Sequence, residues 1–407
     1  MDLHITPKKL SGSVTPPPSK SQAHRLLIAA ALLHRGVSVI HGLADSQDIQ
    51  ATRRCLSALG ARIDDVDENT VQVCGLGNAI VEAGPAPILD CGESGSTLRF
   101  LIPLALLVNG SACFTGHGRL MERPMAPYED LFRKKGIFFE KKDGVLTVRG
   151  QLTPGEYRLA GNVSSQFFTG LLFVLPLLDG DSTLVPTTPL ESRDYLEMTR
   201  SVLELAGVES RWEDDVLHIP GRQRYAPFTA TVEADWSQAA FWYAAIALGS
   251  QLELEGLNAF SVQGDMAVVP HFLRLTRPGD LTIDLADIPD LLPPLAVMAA
   301  IRSGTTRFVN AARLRMKESD RLTTVCAMLT ALGGRCEEGP DSLTVTGSTL
   351  AGGTVDSAGD HRIAMAAAIA ATGCTGPVTV LGAECVKKSY PDFWEVYKSL
   401  GGEVHVL

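Results

Sequence analysis

The sequence predicts an α/β protein of two domains, each made of three copies of one unit: strand, helix, strand, helix and hairpin. Six times along the chain, an extended segment meets a polar helix start that is followed by a run of apolar residues. A regular interval between such starts indicates a repeated unit, and a repeat decides the fold before single elements do. By subtraction, the intervals are 73, 70, 73, 53 and 70 residues between the markers Ser21, Ser94, Ser164, Ser237, Asp290 and Asp360.

Glycines repeat with the same unit. A helix-ending glycine precedes a strand-closing glycine by 15, 14, 14 and 14 residues in four of the copies. Glycine is the usual residue just past a helix end, so each pair brackets a helix end and a hairpin. The fourth copy is short, because Pro278-Gly279 follows its second helix where a hairpin would stand. The pairs are Gly60 and Gly75, Gly136 and Gly150, Gly207 and Gly221, and Gly333 and Gly347.

Composition fits a large two-domain globular protein. The chain has 407 residues, of which 45% are hydrophobic, and this is enough to bury an extensive core. Its net charge of −10 gives no general attraction to nucleic acid or to anionic membranes. No apolar run approaches the roughly 18 residues of a membrane span, and the first residues lack a signal pattern. We therefore expect a cytoplasmic protein with neither nucleic acid nor membrane as a partner.

The cysteines point to neither a metal site nor a disulfide framework. Eight are present, and no two of them form a Cys-x-x-Cys pair. They are Cys55, Cys74, Cys91, Cys113, Cys326, Cys336, Cys374 and Cys385.

The linker between the two domains is best placed in a polar stretch, residues 222–227. Repeats one to three end near Gly221, and repeats four to six fill the remainder. Two short strands, Leu3–Thr6 and Leu10–Val14, precede the first repeat, and a last strand, Glu403–Leu407, lacks a hairpin partner. We expect the helix starts to converge between the domains, where ligand sites are common.

Anion binding is the chemistry indicated by the helix starts. At the first of them, three prolines end at Pro18, and Ser19 or Ser21 can cap an apolar helix. Lys20 and Arg25 add full charges to the positive end of that helix. Alone, this stretch is better interpreted as an ordinary capped helix. Its repetition along the chain favours an anion site.

Charged residues also cluster at residues 119–124 and 313–321. For the second cluster, pattern alone favours a solvated helix start, with Lys317 and Arg321 one turn apart beside acids. His24 and His361 fit structural histidines, because no other ligand residue stands at metal-binding spacing from them.

Taken together, these stretches resemble the 5-enolpyruvylshikimate-3-phosphate synthase family along nearly the whole chain. Members transfer the enolpyruvyl group of phosphoenolpyruvate to the 5-hydroxyl of shikimate 3-phosphate, without metal or organic cofactor. The matching stretches are Lys20-Ser21 with Arg25, Gly92-Glu93-Ser94-Gly95-Ser96-Thr97-Leu98-Arg99, Arg119 with Glu122-Arg123-Pro124, Ser164-Ser165-Gln166, Lys317-Glu318-Ser319-Asp320-Arg321-Leu322, Asp360-His361-Arg362-Ile363-Ala364-Met365 and Lys388-Ser389-Tyr390-Pro391.

The resemblance implies a two-domain inside-out α/β barrel, with three βαβαββ-type repeats per domain and an active site in the inter-domain cleft. In this family the N-terminal strands join the C-terminal domain. We therefore expect one domain of residues 1–17 and 228–407, and another of residues 18–227. A monomer is expected, with the two substrates as its partners.

The resemblance also implies a set of substrate contacts. The phosphate of phosphoenolpyruvate would lie on Lys20, Gly95, Arg123, Gln166 and Lys388, and its carboxylate on Arg321 and Arg362. Planar Arg suits a carboxylate, whereas Lys and backbone N–H groups suit a phosphate. Shikimate 3-phosphate would lie on Ser21, Arg25, Ser164, Ser165, Ser192, Tyr195 and Lys317, near Asp290 and Arg313.

Catalytic roles follow from the same resemblance. An acid must protonate the methylene carbon, and a base must take the proton of the attacking hydroxyl. We assign Glu318 as the acid and Asp290 as the base, with Lys20 assisting, and we expect His361 to orient the region near Glu318. Cations flank Glu318 and would lower its pKa, so an acid role requires burial or bound phosphate to oppose them.

Two residues depart from the family pattern. Glu93 and Arg313 each stand where the family usually has Asn, which leaves their contacts open. A carboxylate one residue before Ser94 favours a helix-capping role for Glu93 over pairing with a cation of the site.

Two other functions stay open from the sequence. UDP-N-acetylglucosamine enolpyruvyl transferase would carry Lys-Asn instead of Lys20-Ser21, and a reactive Cys in a mobile loop. The loop of residues 116–124 has no cysteine, although Cys113 is close to it. A non-catalytic anion-binding repeat protein would have no need of the paired carboxylates Asp290 and Glu318.

Overall fold

The computed structural model of the chain describes residues 1–77 and 85–407, and divides them into two compact units. One unit is Met1–Pro17 with Glu233–Leu407, and the other is Pro18–Val232. The boundary lies five residues beyond the expected position at 227. The reason is that a strand at Thr229–Thr231 pairs in parallel with Val39–His41, which belong to the first repeat. The N–H of Val232 also donates to the carbonyl of His41, at 2.9 Å.

The chain begins with β1 (Leu3–Thr6) and β2 (Ser11–Val14). The helices of the unit Pro18–Val232 are α1 (Lys20–Ala31), α2 (Gln47–Ala58), α3 (Gly95–Asn109), α4 (Ala126–Lys134), α5 (Gln166–Val174) and α6 (Arg193–Leu205). Its strands are β3 (Val37–His41), β4 (Arg62–Asp67), β5 (Thr70–Cys74), β6 (Ile88–Asp90), β7 (Ser111–Thr115), β8 (Phe138–Lys142), β9 (Val145–Arg149), β10 (Gly155–Leu159), β11 (Ser182–Pro186), β12 (Arg211–Glu213), β13 (Val216–Ile219) and β14 (Thr229–Thr231).

The remaining elements belong to the other unit. Its helices are α7 (Trp236–Ala247), α8 (Val268–Leu275), α9 (Leu292–Ile301), α10 (Arg321–Ala331), α11 (His361–Ala371) and α12 (Phe393–Ser399). Its strands, besides β1 and β2, are β15 (Gln251–Leu254), β16 (Leu281–Asp284), β17 (Thr305–Val309), β18 (Arg335–Glu338), β19 (Leu343–Thr346), β20 (Gly353–Asp356), β21 (Val378–Leu381) and β22 (Glu403–Val406).

Five of the six sheets in the described ranges share one strand order. In the second copy, for example, β6 runs parallel to β7, β7 pairs antiparallel with β9, and β9 pairs antiparallel with β8. The predicted α/β class and its repeated unit are therefore confirmed. Two copies are completed by distant segments. The first strand of the first copy is β14, and the terminal strand β22 of the sixth copy pairs with β1.

The short fourth copy is also confirmed. Its strand β15 pairs in parallel with β2, in a two-stranded sheet. Helix α8 ends at Leu275, and Pro278-Gly279 then leads directly into β16 of the next copy.

Each unit has its own hydrophobic core, centred on the first helices of its repeats. In one unit these are α1, α3 and α5, and in the other they are α7, α9 and α11. A helix that is apolar on all sides requires cover on all sides. The other helices of each unit and the surrounding sheets supply that cover. None of the helices in the described parts of the chain is long and apolar enough to cross a membrane.

The strand-closing glycines are required by close backbone approaches. A Cβ atom on Gly347 would overlap the carbonyl oxygen of Arg302, and one on Gly221 would overlap that of Gly180. At Gly75 the overlap would be with the carbonyl of Leu33. These three hairpins thus return against the backbone at or near the end of the first helix of their copy, where only glycine fits.

We expect Gly347→Ala to destabilise the protein by at least the upper end of the ~1–3 kcal/mol typical of overpacking, because the obstacle is backbone and not a flexible side chain. Urea unfolding followed by circular dichroism measures the free energy of unfolding. Thr349→Ala, an exposed position two residues on, is the control and should be near neutral. Equal stability of the two variants would contradict the close-approach explanation.

Candidate active site

In the unit Pro18–Val232, the start of α1 is fixed by a cap and an ion pair. Ser19 is the N-cap, and its hydroxyl accepts from the N–H of Gln22 at 3.4 Å. The Nζ atom of Lys20 donates to Oδ2 of Asp48 at 2.6 Å. Asp48 lies in the first turn of α2, so this pair joins two helix starts. The ammonium group of Lys20 and the positive end of the α1 dipole therefore lie on the same side of this helix start.

Arg25 is buried one turn further along α1. Its Nε donates to the hydroxyl of Thr199 at 2.8 Å, its Nη1 to the carbonyl of Ser21 at 2.6 Å, and its Nη2 to the carbonyl of Tyr195 at 2.9 Å. Burial lowers the pKa of this guanidinium to about 10, so it is still protonated at neutral pH. The structure thus brings three predicted site residues together: Ser21, Arg25 and Tyr195.

The predicted serines lie at the starts of α5 and α6. Ser164 accepts from the N–H of Gln166 at 3.3 Å through its hydroxyl, and Ser165 is the residue before the helix. Ser192, before α6, is buried and has a φ of +56°. A left-handed conformation is uncommon for serine and occurs often at functional sites.

Gly95, at the first position of α3, lies beneath two side chains of the predicted phosphate set. A Cβ atom built there would lie 2.7 Å from Nη1 of Arg123 and 3.7 Å from Oε1 of Gln166. Arg99 holds the amide of Gln166, because its Nη1 donates to Oε1 at 2.8 Å. The Nε2 of the same amide donates to the hydroxyl of Ser96 at 3.0 Å. The starts of α3 and α5 are joined by these contacts.

Sequence reasoning did not assign Arg99 a role in the site. In the sequence, Arg99 is only the last residue of the matching stretch that begins at Gly92. The available signal was its spacing, since Arg99 stands one helical turn after Gly95 and therefore on the same face.

In the other unit, Arg321 is the centre of the predicted site. Its side chain is 1% exposed and donates to three carboxylates from three separate segments. Nη1 lies 2.7 Å from Oδ1 of Asp290, Nη2 lies 2.7 Å from Oε2 of Glu318, and Nε lies 2.8 Å from Oδ2 of Asp360. The two carboxylates assigned as base and acid are thus held by one guanidinium.

Asp290 is surrounded by cations. Besides Arg321, Nη2 of Arg362 lies 3.2 Å from its Oδ2, and Nζ of Lys317 lies 3.4 Å from its Oδ1. Burial opposes the charge of this carboxyl, but Arg362, Lys317 and Arg321 outweigh that effect and hold its pKa well below the usual range. Burial lowers the pKa of Lys317, with Asp290 opposing the shift.

The start of α11 completes this cluster. Asp360 is its N-cap and is fully buried, and the adjacent His361 is buried as well. Nη2 of Arg362 also donates to the hydroxyl of Ser237 at 2.9 Å. Nζ of Lys388 donates to the carbonyl of Gly359 at 2.8 Å, so Lys388 contacts the turn that precedes the helix.

Arg315 is a supporting residue that the sequence did not single out. Its Nη1 donates to Asp320 at 2.8 Å and to Glu338 at 2.7 Å, and its Nη2 donates to the carbonyl of Gly339 at 2.7 Å. The segment that carries Lys317 and Glu318 is therefore tied to the hairpin of β18 and β19.

The two residues that depart from the family pattern have structural contacts. Arg313 is buried and its Nη2 donates to the carbonyl of Ala286. The capping role expected for Glu93 is wrong. Ser94 is the N-cap of α3 and accepts from the N–H of Thr97 at 3.1 Å, whereas the carboxylate of Glu93 packs against Gly118. No group of three His, Cys, Asp or Glu side chains in residues 1–77 and 85–407 could hold a metal ion.

Two α/β units of repeated copies, with cations at their helix starts and a pair of carboxylates in one of them, define an enzyme for small anionic substrates. A sequence profile of EPSP synthase (3-phosphoshikimate 1-carboxyvinyltransferase) matches residues 5–277 and 276–397. The chain belongs to the EPSP synthase family. The family and the enzyme class expected from the sequence are thereby confirmed.

Relatives match along almost their whole length. A 3-phosphoshikimate 1-carboxyvinyltransferase of Clostridium kluyveri is 44% identical, over 99% of this chain and 98% of its own. One of Clostridium perfringens is 43% identical, over 98% of each chain. A solved EPSP synthase of Acinetobacter baumannii superposes with a TM-score of 0.81 at 25% identity, over the whole of both chains. The enolpyruvyl transferase NikO of Streptomyces tendae has the same fold, with a TM-score of 0.75 at 19% identity.

We expect the cations around Asp290 to make stability depend on pH in the acid range. A carboxyl whose pKa is lowered by folding stabilises the protein above its unfolded pKa of about 3.9, and this stability is lost as the pH falls further. Asp290→Asn should therefore make the decline of the unfolding free energy below about pH 4 shallower, by up to ~1.4 kcal/mol per pH unit. Urea unfolding from pH 7 to pH 3 measures this decline.

Asp215→Asn is the control for that series, because this side chain is 91% exposed and lies outside the cluster. It should keep the slope of the wild-type protein. A wild-type slope in Asp290→Asn as well would mean that the cluster does not hold this carboxylate ionised in solution.

Proposed function

We propose that this chain transfers the enolpyruvyl group of phosphoenolpyruvate to the 5-hydroxyl of shikimate 3-phosphate and releases phosphate, as a cytoplasmic monomer. The reaction belongs to the shikimate pathway. The observation that carries the mechanism is the cluster around Arg321, in which the carboxylates of Asp290 and Glu318 stand among three cations of the predicted site: Arg321, Arg362 and Lys317. Proton transfer to and from anionic substrates needs both kinds of group.

The phosphate of phosphoenolpyruvate is assigned to Lys20, the N–H of Gly95, Arg123, Gln166 and Lys388. Support comes from the crowding at Gly95, where the guanidinium of Arg123 and the amide of Gln166 approach the start of α3. Phosphate binding at a helix start uses free N–H groups and the helix dipole together. Arg99 then acts as a positioning residue, because it fixes which end of the Gln166 amide accepts and which donates.

The carboxylate of phosphoenolpyruvate is assigned to Arg362 and Arg321. The guanidinium groups of both arginines are bound to Asp290. A substrate carboxylate would therefore replace Asp290 on at least one of them. Arg362 is the better site for this exchange, since Arg321 is also held by Glu318 and Asp360.

Shikimate 3-phosphate is assigned to hydroxyl and cationic groups of both units. In the part of the chain that the structure describes, the buried guanidinium of Arg25 donates to two carbonyl groups and a hydroxyl, and an anionic ligand would balance its charge. The full set is Ser21, Arg25, Ser164, Ser165, Ser192, Tyr195, Asp290, Arg313 and Lys317.

In the proposed chemistry, Asp290 takes the proton of the 5-hydroxyl, whose oxygen bonds to carbon 2 of phosphoenolpyruvate. Glu318 gives a proton to the methylene carbon. Lys20 is assigned to assist the base, and His361 to orient the region of Glu318. When phosphate leaves with the C–O bond electrons, the carboxylate of Glu318 takes a proton back from the new methyl group, the double bond re-forms, and the proton held by Asp290 passes to the departing phosphate. Asp290 is a weak base while three cations lower its pKa. Substrate anions that share those cations would raise that pKa toward a useful range.

A UDP-N-acetylglucosamine enolpyruvyl transferase would need a reactive cysteine in a loop. Cys113 lies instead within β7, with its sulfur 3.7 Å from the hydroxyl of Thr147.

We expect the purified protein to release phosphate from phosphoenolpyruvate only when shikimate 3-phosphate is present. A colorimetric phosphate assay tests this, with the UDP-sugar as the alternative acceptor. Release with the UDP-sugar alone would refute the assignment.

Glu318→Gln should lower kcat by about 10²–10⁴, the usual contribution of a positioned acid or base. Binding of shikimate 3-phosphate should change only a few-fold. Lys317→Ala is the matched variant in the same segment and should weaken that binding. Calorimetric titration and steady-state kinetics separate the two effects. Normal turnover in Glu318→Gln would show that another group protonates the methylene carbon.

A further inference from the structure

His24 is a fully buried histidine on α1, between Lys20 and Arg25 of the proposed site. Its Nδ1 lies 2.7 Å from the hydroxyl of Thr52 on α2. Its Nε2 is buried with no hydrogen-bond partner. Burial lowers the pKa of this imidazole well below its usual value, and the charges of Lys20 and Arg25 lower it further. His24 is therefore neutral, and only one of its nitrogens is engaged.

The contact with Thr52 begins a chain of buried hydroxyl groups. The hydroxyl of Thr52 lies 2.7 Å from that of Thr97, which in turn donates to the hydroxyl of Ser94 at 2.7 Å. Ser94 also accepts from the N–H of Thr97, as the N-cap of α3. All of these side chains are buried, so water does not compete for the bonds.

The hydrogen bonds of these buried side chains all run in one direction, from His24 to Ser94. Since the hydroxyl of Thr97 donates to Ser94, it accepts from Thr52, and Thr52 then accepts from His24. This arrangement places the imidazole proton on Nδ1 and leaves Nε2 with a lone pair, in agreement with its missing partner. Each hydroxyl in such a chain strengthens the next one.

This series of hydrogen bonds, from His24 to Ser94, lies one helical turn beneath the proposed phosphate site. His24 follows Lys20 by four residues, and Thr52 follows Asp48 by four, so the contact of His24 with Thr52 lies under the Lys20–Asp48 ion pair. At its other end the chain reaches Ser94, which precedes Gly95. It therefore connects the starts of α1, α2 and α3.

We propose that His24 is a positioning residue for phosphoenolpyruvate. As a neutral donor, it sets the spacing of the three helix starts that carry Lys20, Asp48 and the N–H of Gly95. This inference rests on the proposed placement of the substrate phosphate. It assigns no proton transfer to His24.

The test is to replace His24 by a side chain of similar volume that cannot donate a hydrogen bond. We expect His24→Leu to raise KM for phosphoenolpyruvate by about threefold to tenfold, the usual worth of one hydrogen bond, with kcat nearly unchanged. His24→Asn should recover most of the loss, because the asparagine amide can donate from the position of Nδ1. Thr52→Val breaks the same chain with little change in volume. It should reproduce the effect, and combining it with His24→Leu should add little.

Ser38→Ala is the control for a merely structural role. Ser38 is fully buried in the same unit, and its hydroxyl accepts from the N–H of Phe228 at 3.0 Å, away from the helix starts. It should lower the melting temperature without changing KM for phosphoenolpyruvate. If His24→Leu and Thr52→Val behave in the same way as Ser38→Ala, the inference is wrong.

Lys20→Ala in the same assays separates this inference from the proposed site. An unchanged KM for phosphoenolpyruvate in Lys20→Ala would overturn the phosphate placement, and the inference with it. A raised KM there, beside unchanged values in His24→Leu and Thr52→Val, would overturn the inference alone.

Discussion

The proposed site in the unit Met1–Pro17 with Glu233–Leu407 depends on one buried guanidinium, that of Arg321. Arg321 joins Asp290 before α9, Glu318 before α10 and Asp360 at the start of α11. Without this cation the three carboxylates would repel one another, and the fully buried Asp360 would carry a large desolvation penalty. Because Arg321 donates to all three, the starts of α9, α10 and α11, which belong to the fifth and sixth copies, are held in one arrangement. The geometry of the proposed acid and base is therefore a property of the repeat packing.

Arg25 is the comparable buried guanidinium of the other unit, but its hydrogen-bond partners differ in charge from those of Arg321. Its partners are two carbonyl groups and a hydroxyl, all of them uncharged. Among the described residues these hydrogen bonds bring no negative charge to Arg25, whereas Arg321 is bound to three carboxylates. This difference supports a division of tasks in which one unit mainly attracts anions and the other mainly moves protons. One repeated scaffold can serve both tasks, since only the residues at the helix starts differ.

The repeat was predictable because its markers are local. Glycines past helix ends and polar caps before apolar runs act within a few residues of where they stand in the sequence. The contribution of β14 to the first copy was not predictable, because three residues pair with a strand almost two hundred positions away. The partners of Arg321 were beyond the sequence for the same reason. At α3 the difficulty was local, since Glu93 and Ser94 are both plausible near a helix start and only the structure shows which one accepts the N–H.

The cations that make Asp290 a weak base are the same cations proposed to bind substrate. This is coherent if substrate binding activates the base. A carboxylate held by Arg362, Lys317 and Arg321 stays ionised but binds a proton poorly. When anionic substrates draw part of that positive charge to themselves, the proton affinity of Asp290 rises at the moment the hydroxyl arrives. A strong base present before the substrates would itself be protonated at neutral pH, and would then be unavailable. In the proposed mechanism, the charge balance around Asp290 therefore links its basicity to occupancy of the site.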